Sequence, residues 1–161
     1  MIETIVANQM VIVGTLVLAC FGAYLTWRNG YKGRVAAAST KFRATVLAAF
    51  SGLYPHEVNW PSRSSDIAHM LKEKFPELQA AVSEFRPYVP WWRRRAFDKA
   101  WFMYRLGPDG REIDKQMYHQ YMPFVSTSIV NGSQVTVDNS KTHKENFKRN
   151  VESLLRYADE T

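Results

Sequence analysis

The feature that most constrains the fold is a long uncharged stretch near the start of the chain. The 24 residues from Thr4 to Trp27 contain no charged side chain, and the most apolar part is Met10–Trp27. A helix of that length rises about 36 Å at about 1.5 Å per residue, enough to cross a hydrocarbon core of about 30 Å. The rings of Tyr24 and Trp27 suit the headgroup level. The stretch therefore predicts a transmembrane helix over Met10–Trp27, with a buried helix of a soluble domain as the alternative.

Charge is distributed unevenly about this stretch. All 21 Lys and Arg residues and 14 of the 15 acidic residues lie at or after Arg28, which gives that part a formal charge of +7. The membrane-proximal basic residues are Arg28, Lys32 and Arg34, and no basic residue precedes the stretch. The positive-inside rule predicts a single-pass protein of the bacterial inner (plasma) membrane, with the N-terminus outside and the C-terminal domain in the cytoplasm. The basic charge also predicts contact with the anionic surface of the lipid bilayer.

Four segments follow from these features. They are a short N-terminal tail over 1–9, the transmembrane helix over 10–27, a juxtamembrane joint over 28–33, and a cytoplasmic helical domain over 34–161. Small residues that would let a second helix approach the span are Gly14, Thr15, Ala19, Gly22 and Ala23. Cys20 is the only cysteine, so an intramolecular disulfide is impossible. The residues just before Cys20 also resemble the cleavage site of a bacterial lipoprotein, in which Cys20 would carry the lipid. The N-terminal tail, however, lacks the basic residues that begin a signal peptide.

Helical periodicity dominates the rest of the chain. Apolar residues recur at spacings of three and four over 34–53, 64–75, 76–86, 91–105 and 142–158. The spacing of Ile113, Met117, Tyr118 and Tyr121 also predicts a short helix over 111–122. In contrast, Phe124–Asp138 is rich in β-branched residues around Asn131-Gly132, which predicts a β-hairpin, with a mobile loop as the alternative. The predicted fold class is therefore mainly α, with one transmembrane helix, a small domain of about five helices and at most one hairpin.

No catalytic set stands out along the chain. The four histidines lack metal-ligand spacing, and no glycine-rich loop opens a helix as a phosphate cradle. His56 and Glu57 are the best acid–base pair, and a solvated loop explains them better. We therefore predict no cofactor, no metal site and no enzymatic activity.

The helix over Trp91–Arg105 carries the most unusual pattern. At about 100° per residue, one broad face predicted to be core holds Trp92, Ala96, Phe97, Ala100, Trp101, Met103 and Tyr104. An interaction patch is predicted at Trp91, Arg94, Arg95, Asp98, Lys99, Phe102 and Arg105. Exposed aromatic rings beside arginines suit a membrane interface, another protein or nucleic-acid bases.

The segment AVSEFRPYVPWWRRRAFDKAWFMY, together with the closing VESLLRYA, resembles a group of uncharacterised small bacterial membrane proteins. The resemblance implies one N-terminal span and a helical cytoplasmic domain, and it transfers no activity and no site residues. The prediction is thus a membrane-anchored, non-catalytic interaction protein, an accessory or scaffold subunit of an inner-membrane complex or homo-oligomer. A membrane-tethered nucleic-acid-binding protein is the alternative, and an enzyme built around His56 and Glu57 is a further one.

Overall fold

The computed structural model describes the backbone of residues 2–108, 118–123, 125–130 and 133–159, and the side chains of the first helix from Gly14 onward. This part of the chain is mainly helical. The α-helices are α1 (Ile2–Ala49), α2 (Ser64–Phe85), α3 (Trp91–Leu106) and α4 (His143–Asp159). The strands are β1 (Val125–Val130) and β2 (Ser133–Asp138), and short 3-10 turns cover Arg86–Tyr88 and His119–Tyr121.

The chain divides into two compact units, Met1–Ala37 and Ala38–Thr161. The first unit is the leading part of α1. Its large apolar side chains over 16–31 are exposed, with Leu18 at 73% and Trp27 at 63%. Gly14 and Gly22 have open space where a side chain would be. The other residues predicted to pack against a second helix, Thr15, Ala19 and Ala23, are exposed too. A packing role for these small residues stays a prediction.

The predicted fold class needs correction at the transmembrane helix. Within the residues that the structure describes, no helix combines the length and the apolar character that crossing a membrane requires. The segment Met10–Trp27 is instead part of a 48-residue helix that goes on through Arg28, Lys32 and Arg34.

That helix also continues through the predicted joint over 28–33, with Gly30 and Gly33 inside it. An interior glycine costs only about 1 kcal/mol relative to alanine, so two of them weaken a helix without ending it. The boundary between the two units falls between Ala37 and Ala38. The predicted segment limits themselves stay predictions.

The core of the second unit is built largely from aromatic rings. Phe42 stacks on Phe85 with ring centroids 4.6 Å apart, and Phe97 meets Phe85 edge-on at 5.8 Å. Phe50 and Phe147 join α1 to α4 through an edge contact at 5.0 Å. Offset and edge-to-face pairs of this kind add to the stabilisation that burial provides. The periodic apolar residues Phe42, Val46 and Ala49 of α1 lie in this core, which confirms the helical pattern there, and Phe50 and Leu53 join it from the turn that follows the helix.

Helix α2 departs from the predicted division at Pro76. The sequence predicts one helix ending before this proline and another starting at it, whereas α2 runs unbroken over Ser64–Phe85. Proline removes one backbone donor and crowds the preceding turn. Here both halves bury apolar residues in the same core, with Leu71 at 0% and Leu78 at 2% exposure. Shared burial of the two halves therefore outweighs the local cost of the proline.

Strands β1 and β2 form an antiparallel hairpin. Val125 lies opposite Asp138, and Val130 lies opposite Ser133, which leaves a two-residue connection at 131–132. That connection and Phe124 fall outside the described residues. Of the two readings that the sequence leaves open for this region, the structure therefore has paired strands. The predicted short helix over 111–122 lies mostly outside the described residues.

One side chain ties the two ends of the hairpin to the helices. Asn139 follows β2, and its Nδ2 donates to the carbonyl oxygens of Gln120 at 2.8 Å and Met122 at 3.0 Å, just before β1. Its Oδ1 accepts from Thr142 Oγ1 at 2.9 Å and from Asn146 Nδ2 at 3.0 Å. Asn139 is buried, so these four bonds satisfy its whole amide group where water cannot.

Candidate interaction surface

The buried face of α3 fixes the orientation of the helix. Phe97 and Tyr104 are fully buried, and Trp101 is 5% exposed. Phe97 meets Tyr157 of α4 edge-on at 5.2 Å, and Trp101 stacks on Phe75 of α2 at 6.1 Å. Contacts to two other helices leave α3 little freedom to rotate about its axis, so its opposite face is held outward.

Hydrogen bonds fasten the start of α3 to the preceding turn. Arg86 donates from Nε and Nη2 to the two carboxylate oxygens of Asp98 at 2.7 and 2.8 Å. These bonds hold the pKa of Asp98 below its usual value, and the same bonds raise the pKa of Arg86. Arg94 donates to the carbonyl oxygens of Val89 at 3.0 Å and Pro87 at 2.8 Å. Arg94 and Asp98 are therefore occupied within the fold.

Arg105 is also drawn inward, although the sequence predicts it in the patch. It is 8% exposed. Its guanidinium lies 5.1 Å from the ring centroid of Phe75 and 5.9 Å from those of Trp101 and Phe102. A planar, weakly hydrated guanidinium packs well on aromatic faces, and its apolar stem adds contact area. Arg105 therefore helps to join α3 to α2.

The exposed residues of α3 are Trp91, Trp92, Arg95, Ala96, Lys99 and Phe102. We call the five with large side chains, which exclude Ala96, the α3 stripe. The exposed fractions of the three rings are 76% for Trp91, 67% for Trp92 and 50% for Phe102. The two tryptophan rings meet edge-on with centroids 5.8 Å apart. The stripe thus presents three large rings and two cations on one face of a fixed helix.

The structure therefore divides the predicted patch into two groups. It brings Trp91, Arg95, Lys99 and Phe102 together, whereas Arg94, Asp98 and Arg105 serve the fold. The predicted core face is wrong at Trp92 and Ala96, both of which are exposed. Because Arg105 is buried and Trp92 is not, the true buried face is rotated by roughly 85° on the helical wheel from the predicted one.

The predicted membrane-proximal basic residues lie elsewhere, in the first unit. Arg28, Lys32 and Arg34 are all exposed on α1. They lie within two turns of one helix, so their charges share one short segment. Their predicted role beside a membrane stays untested.

A cavity that the sequence does not predict lies at the start of α4. Its volume is about 310 Å³, and residues that line it include Trp60, Ser62, Ile67, Pro123, His143 and Lys144. These residues come from three separate regions of the chain, so no local motif could indicate the cavity. Of the predicted acid–base pair His56 and Glu57, Glu57 forms an ion pair with Lys144, with Oε2 3.1 Å from Nζ, and a catalytic role of the two residues stays untested. In the described part of the chain, no group of three His, Cys, Asp or Glu residues could hold a metal ion.

A cluster of buried tyrosines lies behind α3. Tyr121 donates from its hydroxyl to the carbonyl oxygen of Tyr104 at 2.7 Å, and it accepts from Asn150 Nδ2 at 3.0 Å. Burial raises the pKa of Tyr118 to about 12, and it raises the pKa values of Tyr104 and Tyr121 as well. The cluster is therefore neutral at ordinary pH, and its members contact one another and the core.

Comparison with known proteins adds no family. No protein-family model matches the chain, and neither a curated protein nor a solved structure matches it.

Proposed function

We propose that the chain is a non-catalytic interaction protein, an accessory or scaffold subunit that binds a partner protein through the α3 stripe. The observation that supports this proposal is the exposure of Trp91, Trp92 and Phe102 beside Arg95 and Lys99, on a helix whose opposite face is fully packed. Single exposed apolar residues are ordinary, but two tryptophan rings in contact and a phenylalanine ring about three turns further along the same helix face form a patch of the kind that marks a binding site.

The residue types favour a protein partner. Tryptophan and arginine are the residues most enriched among those that dominate protein–protein binding energy. An aromatic side chain buries about 150–250 Å², so three rings supply a large part of the roughly 800 Å² that each partner contributes to a standard interface. Because α3 is held by contacts to α2 and α4, binding needs little ordering of its backbone, which favours affinity.

The charges favour an acidic partner surface. Arg95 and Lys99 are both exposed, whereas the nearby Asp98 is already neutralised by Arg86. The stripe therefore carries two positive charges without a free acid between them. We propose a partner with an apolar centre and acidic residues at its rim, since complementary charges speed association and exclude wrong partners.

The nucleic-acid alternative has weaker support. Of the run Arg93 to Arg95, Arg93 places its guanidinium 4.8 Å from the ring centroid of Tyr157, and Arg94 bonds to backbone carbonyls. Two of the three arginines are thus engaged in the fold. Nucleic-acid binding would show as a shift that weakens steeply with salt, and such a shift would replace the proposed partner class.

Site-specific crosslinking tests the proposal. A photo-crosslinking residue placed at Lys99 should give a discrete adduct in cells, and the double variant Trp91→Ala with Phe102→Ala should lose it. Val58→Ala is the matched control, because Val58 is 77% exposed in a loop outside α3 and its truncation should leave the adduct unchanged. The double variant should melt within a few degrees of the parent, since exposed sites usually change stability by about 0.5 kcal/mol or less. An adduct of undiminished yield in a folded double variant would refute the proposal.

Two further predictions stay open beside this one. The location at the bacterial inner membrane is supported by the +7 charge after Arg28, and separation of membrane from soluble fractions tests it. The enzymatic alternative is tested by replacing both His56 and Glu57 with alanine. Full function of that variant in the host would remove it.

A further inference from the structure

The cavity at the start of α4 is independent of the α3 stripe and is built from mixed chemistry. Trp60 and His143 form two of its walls, with ring centroids 5.7 Å apart and planes inclined by 60°. The Trp60 ring is fixed from behind by Phe147, which it meets edge-on at 5.6 Å. Ile67 and Pro123 add apolar surface. The cavity therefore offers an aromatic corner that suits a planar, apolar group.

A cation lies beside this corner. Lys144 lines the cavity, and its Nζ lies 5.6 Å from the ring centroid of Trp60. The same Nζ lies 3.1 Å from Glu57 Oε2, so this ammonium already binds a carboxylate. Both side chains are partly solvated, at 39% for Lys144 and 37% for Glu57, so the pair can open at little cost. Ser62 provides a hydroxyl to the same cavity.

We propose that this cavity binds a small aromatic carboxylate. The ring lies in the corner between Trp60 and His143, and the carboxylate takes the place of Glu57 on Lys144. A volume of about 310 Å³ is at the lower end of ligand sites, which run from about 300 to 1,000 Å³, so it fits a one-ring molecule rather than a nucleotide. Glu57 then acts as an internal competitor that sets the affinity for the ligand.

The test uses the full chain labelled with 5-fluorotryptophan, whose five ¹⁹F signals correspond to the five tryptophans. The Trp60 signal is assigned with Trp60→Phe. Benzoate should shift that signal with saturation. Benzamide, the neutral isostere, should bind about tenfold more weakly or worse, because it lacks the charge-assisted bond to Lys144. Acetate, which lacks the ring, should bind more weakly than benzoate.

Charge variants give opposite expectations. Lys144→Met should abolish the preference for benzoate over benzamide, whereas Lys148→Met, one turn along the exposed side of α4, should keep it. Glu57→Gln should bind benzoate several-fold tighter, because the competitor for Lys144 is lost. If Lys144→Met fails to fold, Glu57→Gln decides whether the proposal holds.

The proposal is overturned if benzoate leaves the Trp60 signal unmoved or if benzamide binds equally well. It is also overturned if Glu57→Gln does not strengthen binding. None of these outcomes depends on the α3 stripe, so they leave the proposed function untouched.

Discussion

Two tryptophans on α3 give the sharpest test of how this helix is packed. Trp101 is 5% exposed, whereas Trp92 is 67% exposed, although periodicity places both on the same apolar face. Trp101 stacks on Phe75 with planes inclined by 15° and on Tyr104 with planes inclined by 19°. The guanidinium of Arg105 lies 5.9 Å from its ring centroid. Replacing Trp101 with alanine therefore removes two ring contacts and one cation–π contact, and it leaves a cavity.

The magnitude follows from these contacts. Truncating a buried tryptophan to alanine typically costs about 3–5 kcal/mol, which covers the lost transfer free energy and the cavity. The second unit has 124 residues, Ala38–Thr161. For a domain of this size each kcal/mol lowers Tm by roughly 3–5 °C, so Trp101→Ala should lower Tm by roughly 10–20 °C. Trp92→Ala should change the free energy of unfolding by about 0.5 kcal/mol or less.

Urea denaturation and thermal melts followed by circular dichroism at 222 nm measure both variants against the parent. The pair shares a residue type and a helix, so differences in helix propensity cancel. Equal Tm values for Trp101→Ala and Trp92→Ala would refute the orientation of α3, and with it the exposure of the α3 stripe. A large loss for Trp92→Ala alone would mean that the face predicted from periodicity is the buried one.

Three further substitutions test other parts of the fold. Gly107 has φ of +75°, and a Cβ built there would lie 2.1 Å from Oε1 of Gln120, whose Nε2 donates to carbonyl oxygens at the end of α3. Gly107→Ala should therefore lower the free energy of unfolding by about 1–3 kcal/mol in urea denaturation. An unchanged urea midpoint would contradict this. The hydrogen bonds from Arg86 lower the pKa of Asp98, so this pair stabilises the fold at neutral pH, and the stabilisation is lost as the pH falls below about 4. Asp98→Asn should therefore flatten the fall of Tm in this acid range. Parallel curves of Tm against pH for variant and parent would contradict this. Burial raises the pKa of Tyr118 to about 12, so the neutral hydroxyl contributes fully to the stability of the fold below about pH 10, and this contribution declines as the pH rises toward 12. Tyr118→Phe should match the Tm of the parent at pH 7 and exceed it at pH 11.5. Identical Tm values at pH 11.5 would exclude this role.

The sequence predicts elements well where one apolar period dominates. Helix α3 is predicted over Trp91–Arg105 and observed over Trp91–Leu106, because Pro90 fixes its start and Gly107 its end. The rotation of that helix is not predictable in the same way. Burial of Arg105 depends on a ring of α2, and a helical wheel counts an arginine as outward by default.

Longer-range features escape the sequence for the same reason. The break expected at Pro76 is overruled because both halves of α2 share one core. The cavity joins Trp60, Pro123 and Lys144, whose separation along the chain hides any pattern. Two of the three rings of the α3 stripe, in contrast, could be found from sequence, since Trp91 and Phe102 fall among charged residues on the wheel, whereas Trp92 falls on the predicted core face.

The hydrogen bonds of the Asn139 side chain determine which changes of sequence the hairpin can accept. This side chain bonds the residues that lead into β1 to the residues that follow β2, so the hairpin leaves and rejoins the helical body at almost the same point. Its described side chains, such as Val125 at 64% exposure, face outward. The hairpin is in this sense an insertion with its own closure, and the chain should accept a shorter turn or a foreign loop between Pro123 and Asn139 without losing the helices. New recognition loops could thus be exchanged at this position while α3 and the cavity keep their geometry.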